Sequence, residues 1–259
     1  MKIRNRVAII TGGASGIGAG LAERFAREGA AGIVVADLNM EQARAVAAGI
    51  GNRAVAVRCD VGSEADVRAL VDTARQQFGR IDIYFSNAGI PPGFGGLALE
   101  DQVWERMWRV HCMAHVFGAR AVLPEMVSRG EGYFALTSSA AGVLNIVESA
   151  PYAATKHAAV GLAEWIRIAY GRRGVRVSCL CPQSVDTAMT RGVGAGSSGG
   201  DPMITPLDVA DSVVRAMRDE TFLVLSHPQT AHYMRRKVEN YDRWLGGMQK
   251  LHATYGSQR

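Results

Sequence analysis

Val7-Ala8-Ile9-Ile10-Thr11-Gly12-Gly13-Ala14-Ser15-Gly16-Ile17-Gly18 sets the architecture of the chain. Val7 to Ile10 reads as a buried strand, and a helix is expected from about Ile17 to Glu28. Strand, glycine turn, helix is the context a dinucleotide loop needs. Glycines let the backbone approach a pyrophosphate, and the helix N-terminus offers N–H groups and positive potential. A tight turn without a ligand uses the same residues. The next strand, Ile33-Val34-Val35-Ala36-Asp37, ends in an acid 19 residues after Gly18. A carboxylate there binds adenosine ribose hydroxyls and repels a 2′-phosphate. No Arg or Lys follows directly at Leu38-Asn39, and none lies inside the loop, which favours NAD over NADP. Asp37 also suits the N-cap of the helix expected near Met40.

The same alternation continues. Strands are expected at Ala54–Cys59, Ile81–Phe85, Gly132–Thr137, Val175–Cys181 and Phe222–Leu225. Helices are expected at Glu64–Phe78, at Leu99–Ser128 with an interruption near Pro124, and at Pro206–Asp219. No repeat or inter-domain linker is visible, so residues 1–259 form one α/β domain, a doubly wound parallel sheet of about seven strands with helices on both faces. Residues 188–205, with Gly192, Gly194, Gly196 and Gly200 among them, cannot build a core and read as a mobile lid. In the tail, 229–259, Tyr241, Trp244, Leu245, Met248 and Leu251 or His252 fit a helical stripe. That stripe suits packing on its own domain, a subunit interface or closure of a pocket.

Composition narrows the class. Of 259 residues, 48% are hydrophobic and 20% charged, ordinary for a soluble globular protein. The net charge of +5 is scattered, and its densest run is only Arg235-Arg236-Lys237, so no nucleic-acid stripe is expected. The apolar run after the basic start, Val7 to Ile10, is too short for a signal peptide or a membrane span. Cys59, Cys112, Cys179 and Cys181 form no C-x-x-C pair and read as buried thiols. Together these place the protein in the cytoplasm.

Pro151-Tyr152-Ala153-Ala154-Thr155-Lys156 carries the chemistry, preceded by Leu136-Thr137-Ser138-Ser139. Tyr152 and Lys156 are at i and i+4, one turn apart on one helical face. A phenolate and an ammonium about 6 Å apart attract by about 3 kcal/mol at an effective dielectric of about 20. That is enough to draw the phenol towards the neutral range, where it moves protons. Alone, the pair is no more than an amphipathic helix.

With these positions placed, the chain resembles the short-chain dehydrogenase/reductase family in its roughly 250-residue form, over nearly its whole length. Thr11-Gly12-x-x-x-Gly16-x-Gly18 matches the family's cofactor loop, Asn87-Ala88-Gly89 its strand-four motif, and Ser139, Tyr152 and Lys156 its catalytic set. The resemblance implies a Rossmann fold, NAD as cofactor and a homo-oligomer, tetramer or dimer. It assigns Gly12, Ser15, Gly16, Ile17 and Gly18 to the pyrophosphate and Asp37 to the ribose. Asp60 and Val61 flank the adenine; Asn87, Ala88 and Gly89 line the cleft; Pro182, Val185 and Thr187 meet the nicotinamide end. Tyr152 is the implied general acid/base, Ser139 steadies the substrate oxygen, and Lys156 binds the nicotinamide ribose and lowers the Tyr152 pKa.

Two residues depart from the pattern. His111 stands where the family often has an Asn that supports a proton path to the Lys, and is carried here as a catalytic candidate. Gln183 stands where a Gly usually follows the strand-six Pro. His111 and His115, at i and i+4, are also a possible metal pair, but no third ligand stands out and no metal is expected. The expected function is NAD-dependent interconversion of a secondary alcohol and a ketone; the alternative is a catalytically weak NAD-binding regulatory protein. Candidate pocket walls are Pro91, Pro92, Phe94, Val143, Leu144, Ile146, Ser184, Met189 and Met203, mostly apolar, which favours a hydrophobic or cyclic small-molecule substrate over a highly charged one.

Overall fold

Successive side chains of a strand point to opposite faces, and this sorts the core into two layers. In β1 (Val7–Thr11) and β2 (Gly32–Asp37), Ile9, Val34 and Ala36 join one apolar cluster, while Ala8, Ile10, Ile33 and Val35 join the other. All are fully buried, so both faces of the sheet are covered. The computed structural model describes residues 1–191 and 201–256. Its remaining strands are β3 (Ala54–Arg58), β4 (Ile83–Ser86), β5 (Gly132–Thr137), β6 (Val175–Leu180) and β7 (Leu223–Val224). They make one seven-stranded parallel sheet, ordered β3-β2-β1-β4-β5-β6-β7.

Helices α1 (Gly16–Arg27), α2 (Met40–Ile50) and α8 (Pro206–Asp219) cover one face through residues such as Phe25, Ala43 and Val213. On the other lie α3 (Glu64–Phe78), α5 (Ala114–Arg129) and α7 (Ala150–Tyr170), through Leu70, Phe117 and Ala163. The winding direction reverses between β1 and β4, which are neighbours in the sheet. Loops leaving their C-terminal ends diverge and open a crevice there.

Several elements differ from the sequence expectation. β4 begins at Ile83; just before it the Asp82 carboxylate is held in an ion pair with Arg6 and accepts the Val7 N–H. The long helical region is not broken at Pro124. It comprises α4 (Asp101–Trp108), a π-helical turn at Arg109–Met113, and α5, which runs through Pro124. Proline removes one backbone donor, but the packing of Phe117, Leu123 and Met126 on the sheet keeps α5 continuous. Asn39, not Asp37, caps α2, accepting the Gln42 N–H. β7 is two residues long. Of the expected lid, 192–200 lie outside the described residues. The tail folds as α9 (Gln229–Glu239) and α10 (Tyr241–Tyr255). All four cysteines are buried and free, and burial pushes the Cys59 thiol up to about 12. Among the described residues, no helix is long and apolar enough to cross a membrane.

Candidate active site

The crevice at the β1/β4 reversal deepens into a cavity of about 1050 Å³. Of the residues singled out for cofactor and catalysis, all but Gly18 and His111 line it. Gly18 works from beneath. A Cβ there would stand 2.0 Å from the Gly12 carbonyl oxygen, so the absent side chain is what lets α1 tuck under the loop. Gly12 has φ +63° and would place a Cβ 2.8 Å from Ala88 Cα. The loop is therefore a cradle whose floor side chains would fill, and it presents the N-terminus of α1 to the cavity, the environment an anionic pyrophosphate needs.

Asn87 holds this cradle together. Its Nδ2 donates to the Thr11 carbonyl at 3.1 Å, and its Oδ1 accepts the Thr137 hydroxyl at 3.0 Å. Thr11 Oγ1 in turn accepts the Asn87 N–H at 2.9 Å. The ends of β1, β4 and β5 are thus tied by one carboxamide. Asp37 accepts the Ala14 N–H at 3.1 Å and the Asn39 N–H at 3.0 Å, so its carboxylate braces the glycine loop while facing the cavity. Asp60 accepts the Gly62 N–H at 2.9 Å and lines the same end.

At the other end stand Ser139, Tyr152 and Lys156. Ser149 caps α7, with Pro151 in its first turn, so the helix begins immediately before Tyr152. Lys156 is 3% exposed and donates to the Thr137 carbonyl at 3.3 Å. Its ammonium lies 5.4 Å from the Tyr152 ring centroid, a cation–π contact. Ser139 Oγ accepts the Ala141 N–H at 3.1 Å, and its hydroxyl lies between the Pro182 carbonyl, 3.5 Å away, and the Tyr152 phenol, with which it hydrogen-bonds.

The electrostatics differ from the sequence argument. Burial raises the Tyr152 pKa, and the Ser139 hydrogen bond only partly opposes it. Lys156 is itself lowered to about 8 by burial. Desolvation is the leading cause for both groups, and for Tyr152 it acts against the lowering that the spacing suggested.

His111 sits in the π-helical turn, fully buried. Its Nε2 accepts the Ile90 N–H at 3.1 Å. The Thr155 hydroxyl donates to the Pro151 carbonyl at 2.8 Å, so His111 Nδ1–H donates to Thr155 Oγ1, 3.2 Å away. The ring meets Tyr152 edge-on at 5.4 Å between centroids. His111 thus joins the loop after β4 to the helix bearing Tyr152 and Lys156. Burial and the Lys156 charge hold its pKa down to about 2. It therefore stays neutral through the whole working range, and His111→Asn leaves the acid limb of the kcat/KM pH profile in place. Displacement of that limb by more than about half a pH unit, outside normal fitting error, would mean that His111 titrates. His115 is committed elsewhere, to Ser86 Oγ at 2.7 Å. Among the described residues, no group of three or more His, Cys, Asp or Glu could hold a metal ion.

Gln183 and the tail bring in residues that sequence reasoning missed. Gln183 Nε2 donates to Thr230 Oγ1 at 2.8 Å, and its backbone N–H donates to His227 Nδ1 at 3.2 Å. His227 closes the arrangement by donating from Nε2 to the Ser184 carbonyl at 3.1 Å. The long side chain at position 183 thereby pins the loop after β6 to the start of α9. From there the tail returns over the cavity, which Tyr233, Arg236, Arg243, Trp244, Met248 and Leu251 line. Of the expected walls, Val143 does not line it; that side chain packs on the core, and its carbonyl accepts Lys237 Nζ at 2.9 Å. The only forewarning of the tail's role was the helical stripe, and it divides: Trp244, Met248 and Leu251 face the cavity, while Tyr241 and Leu245 are exposed.

Residues 6–197 match the family model for the short chain dehydrogenases. The chain belongs to that family. It is 37% identical to 1-deoxy-11-beta-hydroxypentalenate dehydrogenase of Streptomyces exfoliatus, over 93% of this chain and 90% of that protein. With 3beta-hydroxysteroid dehydrogenase 2 of Eggerthella lenta it shares 35% identity, over 76% of this chain and 78% of the relative. Among solved structures, a short chain dehydrogenase/reductase from Burkholderia phymatum in complex with NAD superposes with a TM-score of 0.84 at 27% identity, covering 93% and 96% of the two chains. The 3-ketoacyl-(acyl-carrier-protein) reductase of Brucella melitensis, complexed with NADH, superposes at 0.78 with 28% identity, covering 86% and 96%. The matched region ends at 197, so α8 and the tail helices that overhang the cavity lie beyond it.

Proposed function

We propose that this chain is an NAD-dependent oxidoreductase that interconverts a secondary alcohol and a ketone on a bulky, largely apolar substrate. One observation carries the reading: Ser139, Tyr152 and Lys156 stand in the cavity that the Gly12–Gly18 cradle and Asp37 open into. The nicotinamide, when bound, supplies the hydride chemistry. In oxidation the Tyr152 phenolate takes the proton from the substrate hydroxyl, and in reduction the phenol returns it to the carbonyl oxygen. Ser139 donates a hydrogen bond to that oxygen as charge develops on it. Lys156, buried and cationic below about pH 8, favours the phenolate electrostatically. Gly12, Ser15 and Gly16 hold the pyrophosphate, and Asp60 and Val61 border the adenine.

The relatives support a ring-bearing substrate, since the names above are those of pentalenate and hydroxysteroid dehydrogenases. Solved neighbours hold NAD and NADH, and Asp37 favours NAD over its 2′-phosphorylated form. Asp37→Ala lowers the ratio of NAD to NADP kcat/KM by about tenfold, some 1.4 kcal/mol. The absolute NAD affinity also drops, because the Ala14 N–H loses its acceptor. A ratio that does not move would remove the ribose assignment. The exposed apolar residues Trp108, Trp165 and Ile168 suit a face covered by a second copy, in keeping with a homo-oligomer.

The test is cofactor reduction with NAD and NADP side by side across mono- and polycyclic secondary alcohols. Turnover with NAD that disappears in Tyr152→Phe supports the reading. Tyr152-independent turnover would defeat it.

A further inference from the structure

The cavity walls around the substrate end are apolar, with Leu144, Ile146, Phe94 and Met248 among them. Two guanidinium groups interrupt this surface. Arg236 comes from α9, one turn after Tyr233, and Arg243 from the first turn of α10. Among the described residues, neither guanidinium has a hydrogen-bond or ion-pair partner. Both residues are exposed, at the open side of the cavity, where a guanidinium keeps its charge and its donors available to a ligand.

The acids that share the cavity are already engaged. Asp37 and Asp60 take backbone N–H groups at the adenine end. Asp201 accepts the Tyr233 hydroxyl at 3.1 Å, and Glu148 has a partner of its own. Space exists beside Arg243: among the described residues, nothing lies within 4 Å of a Cβ position at Gly247, one turn on. The neighbouring Trp244 indole Nε1–H is buried and, among the described residues, has no acceptor. A buried donor without a partner carries a cost that a bound acceptor would remove.

We infer that Arg236 and Arg243, with Trp244, form an oxyanion-binding subsite at the tail end of the cavity, and that the substrate is an apolar ring alcohol bearing a carboxylate remote from the hydroxyl. A planar guanidinium fork matches carboxylate geometry and stays charged at any working pH. The apolar walls take the ring body, and the carboxylate fixes which hydroxyl reaches Tyr152. This substrate class rests on the dehydrogenase reading; the anion site itself does not. It adds a single charge to the hydrophobic or cyclic substrate that the sequence leads one to expect.

The experiment separates the two. Adamantane-1-carboxylate and adamantane-1-carboxamide, matched in shape, are titrated into the NADH-loaded protein by tryptophan fluorescence. Wild type binds the carboxylate about tenfold or more tighter than the amide, the scale of one charge-assisted pair. Arg236→Gln with Arg243→Gln removes that preference while leaving amide binding within about twofold, Lys at both positions restores part of it, and added salt weakens it. Adamantane-1-phosphonate, run in parallel, shows whether the site prefers a carboxylate or a phosphoryl oxyanion. Tighter binding of the phosphonate would overturn the carboxylate assignment. Equal affinity for carboxylate and amide, no carboxylate binding, or a preference that survives in the double variant would overturn the subsite. Hydride transfer is read separately, from NADH absorbance with cyclic hydroxy acids against their methyl esters. Absent transfer with intact carboxylate preference would sink the dehydrogenase reading and leave the subsite standing.

Discussion

Tyr152→Phe lowers kcat by about 10³-fold and leaves the NADH dissociation constant within about twofold of wild type. The substitution removes one oxygen and keeps the ring. The Lys156 ammonium rests 5.4 Å from the centroid of that ring, a contact phenylalanine retains. His111 meets the same ring edge-on, and this contact survives as well. Neither the lysine nor the loop after β4 therefore has reason to move, and the loss isolates the hydroxyl. Cofactor binding is spared because the cradle is built from Gly12, Gly18 and Asn87, which do not touch the phenol oxygen. Single-turnover absorbance at saturating cofactor, with NADH fluorescence titration alongside, makes the comparison. A mutant that keeps a tenth or more of wild-type turnover would take Tyr152 out of the proton transfer.

Gly18→Ala weakens NADH binding by about 100-fold, near 2.7 kcal/mol, with much less effect on the melting temperature. Two effects oppose each other in this substitution. Alanine is the better helix former by about 1 kcal/mol, which stabilises α1. Its Cβ, however, would lie 2.0 Å from the Gly12 carbonyl oxygen and 2.8 Å from Asn87 Nδ2, both nearer than real Cβ contacts come. What gives way is the Gly12 peptide, and with it the bond from Asn87 Nδ2 to the Thr11 carbonyl. The propensity gain offsets part of the steric cost in global stability, whereas the cradle geometry has no such compensation. Calorimetry or fluorescence titration with NADH, paired with a thermal melt, separates these outcomes. Affinity within about twofold of wild type would show that the loop geometry under Gly12 is not what binds the cofactor.

Much of the framework was legible because its signals are local. The alternation of β1 and β2 with their helices, the glycine loop and the Tyr152–Lys156 spacing each lie within a few residues, and backbone geometry converts them directly into position. Asp37 was readable for the same reason, as the last residue of a strand with a fixed separation from the loop. Helix breaking was less readable. Pro124 is a strong local signal, yet the actual irregularity is the π-helical turn around His111, where the ring reaches Ile90 on one side and Thr155 on the other.

The amino-acid sequence by itself determined the doubly wound parallel sheet, the glycine loop and the candidate catalytic side chains to expect, since each depends on neighbours along the chain. Only the tertiary structure decided their electrostatics and the far end of the pocket. Burial, a property of the whole fold, raises the Tyr152 pKa and lowers that of Lys156, the reverse of what their spacing along the helix suggests. Gln183 meets Thr230 across 47 residues, and the tail helices that follow bring Arg236 and Arg243 to the cavity. Contacts of such sequence separation leave no periodic trace, so their chemistry becomes readable only once the chain has closed on itself.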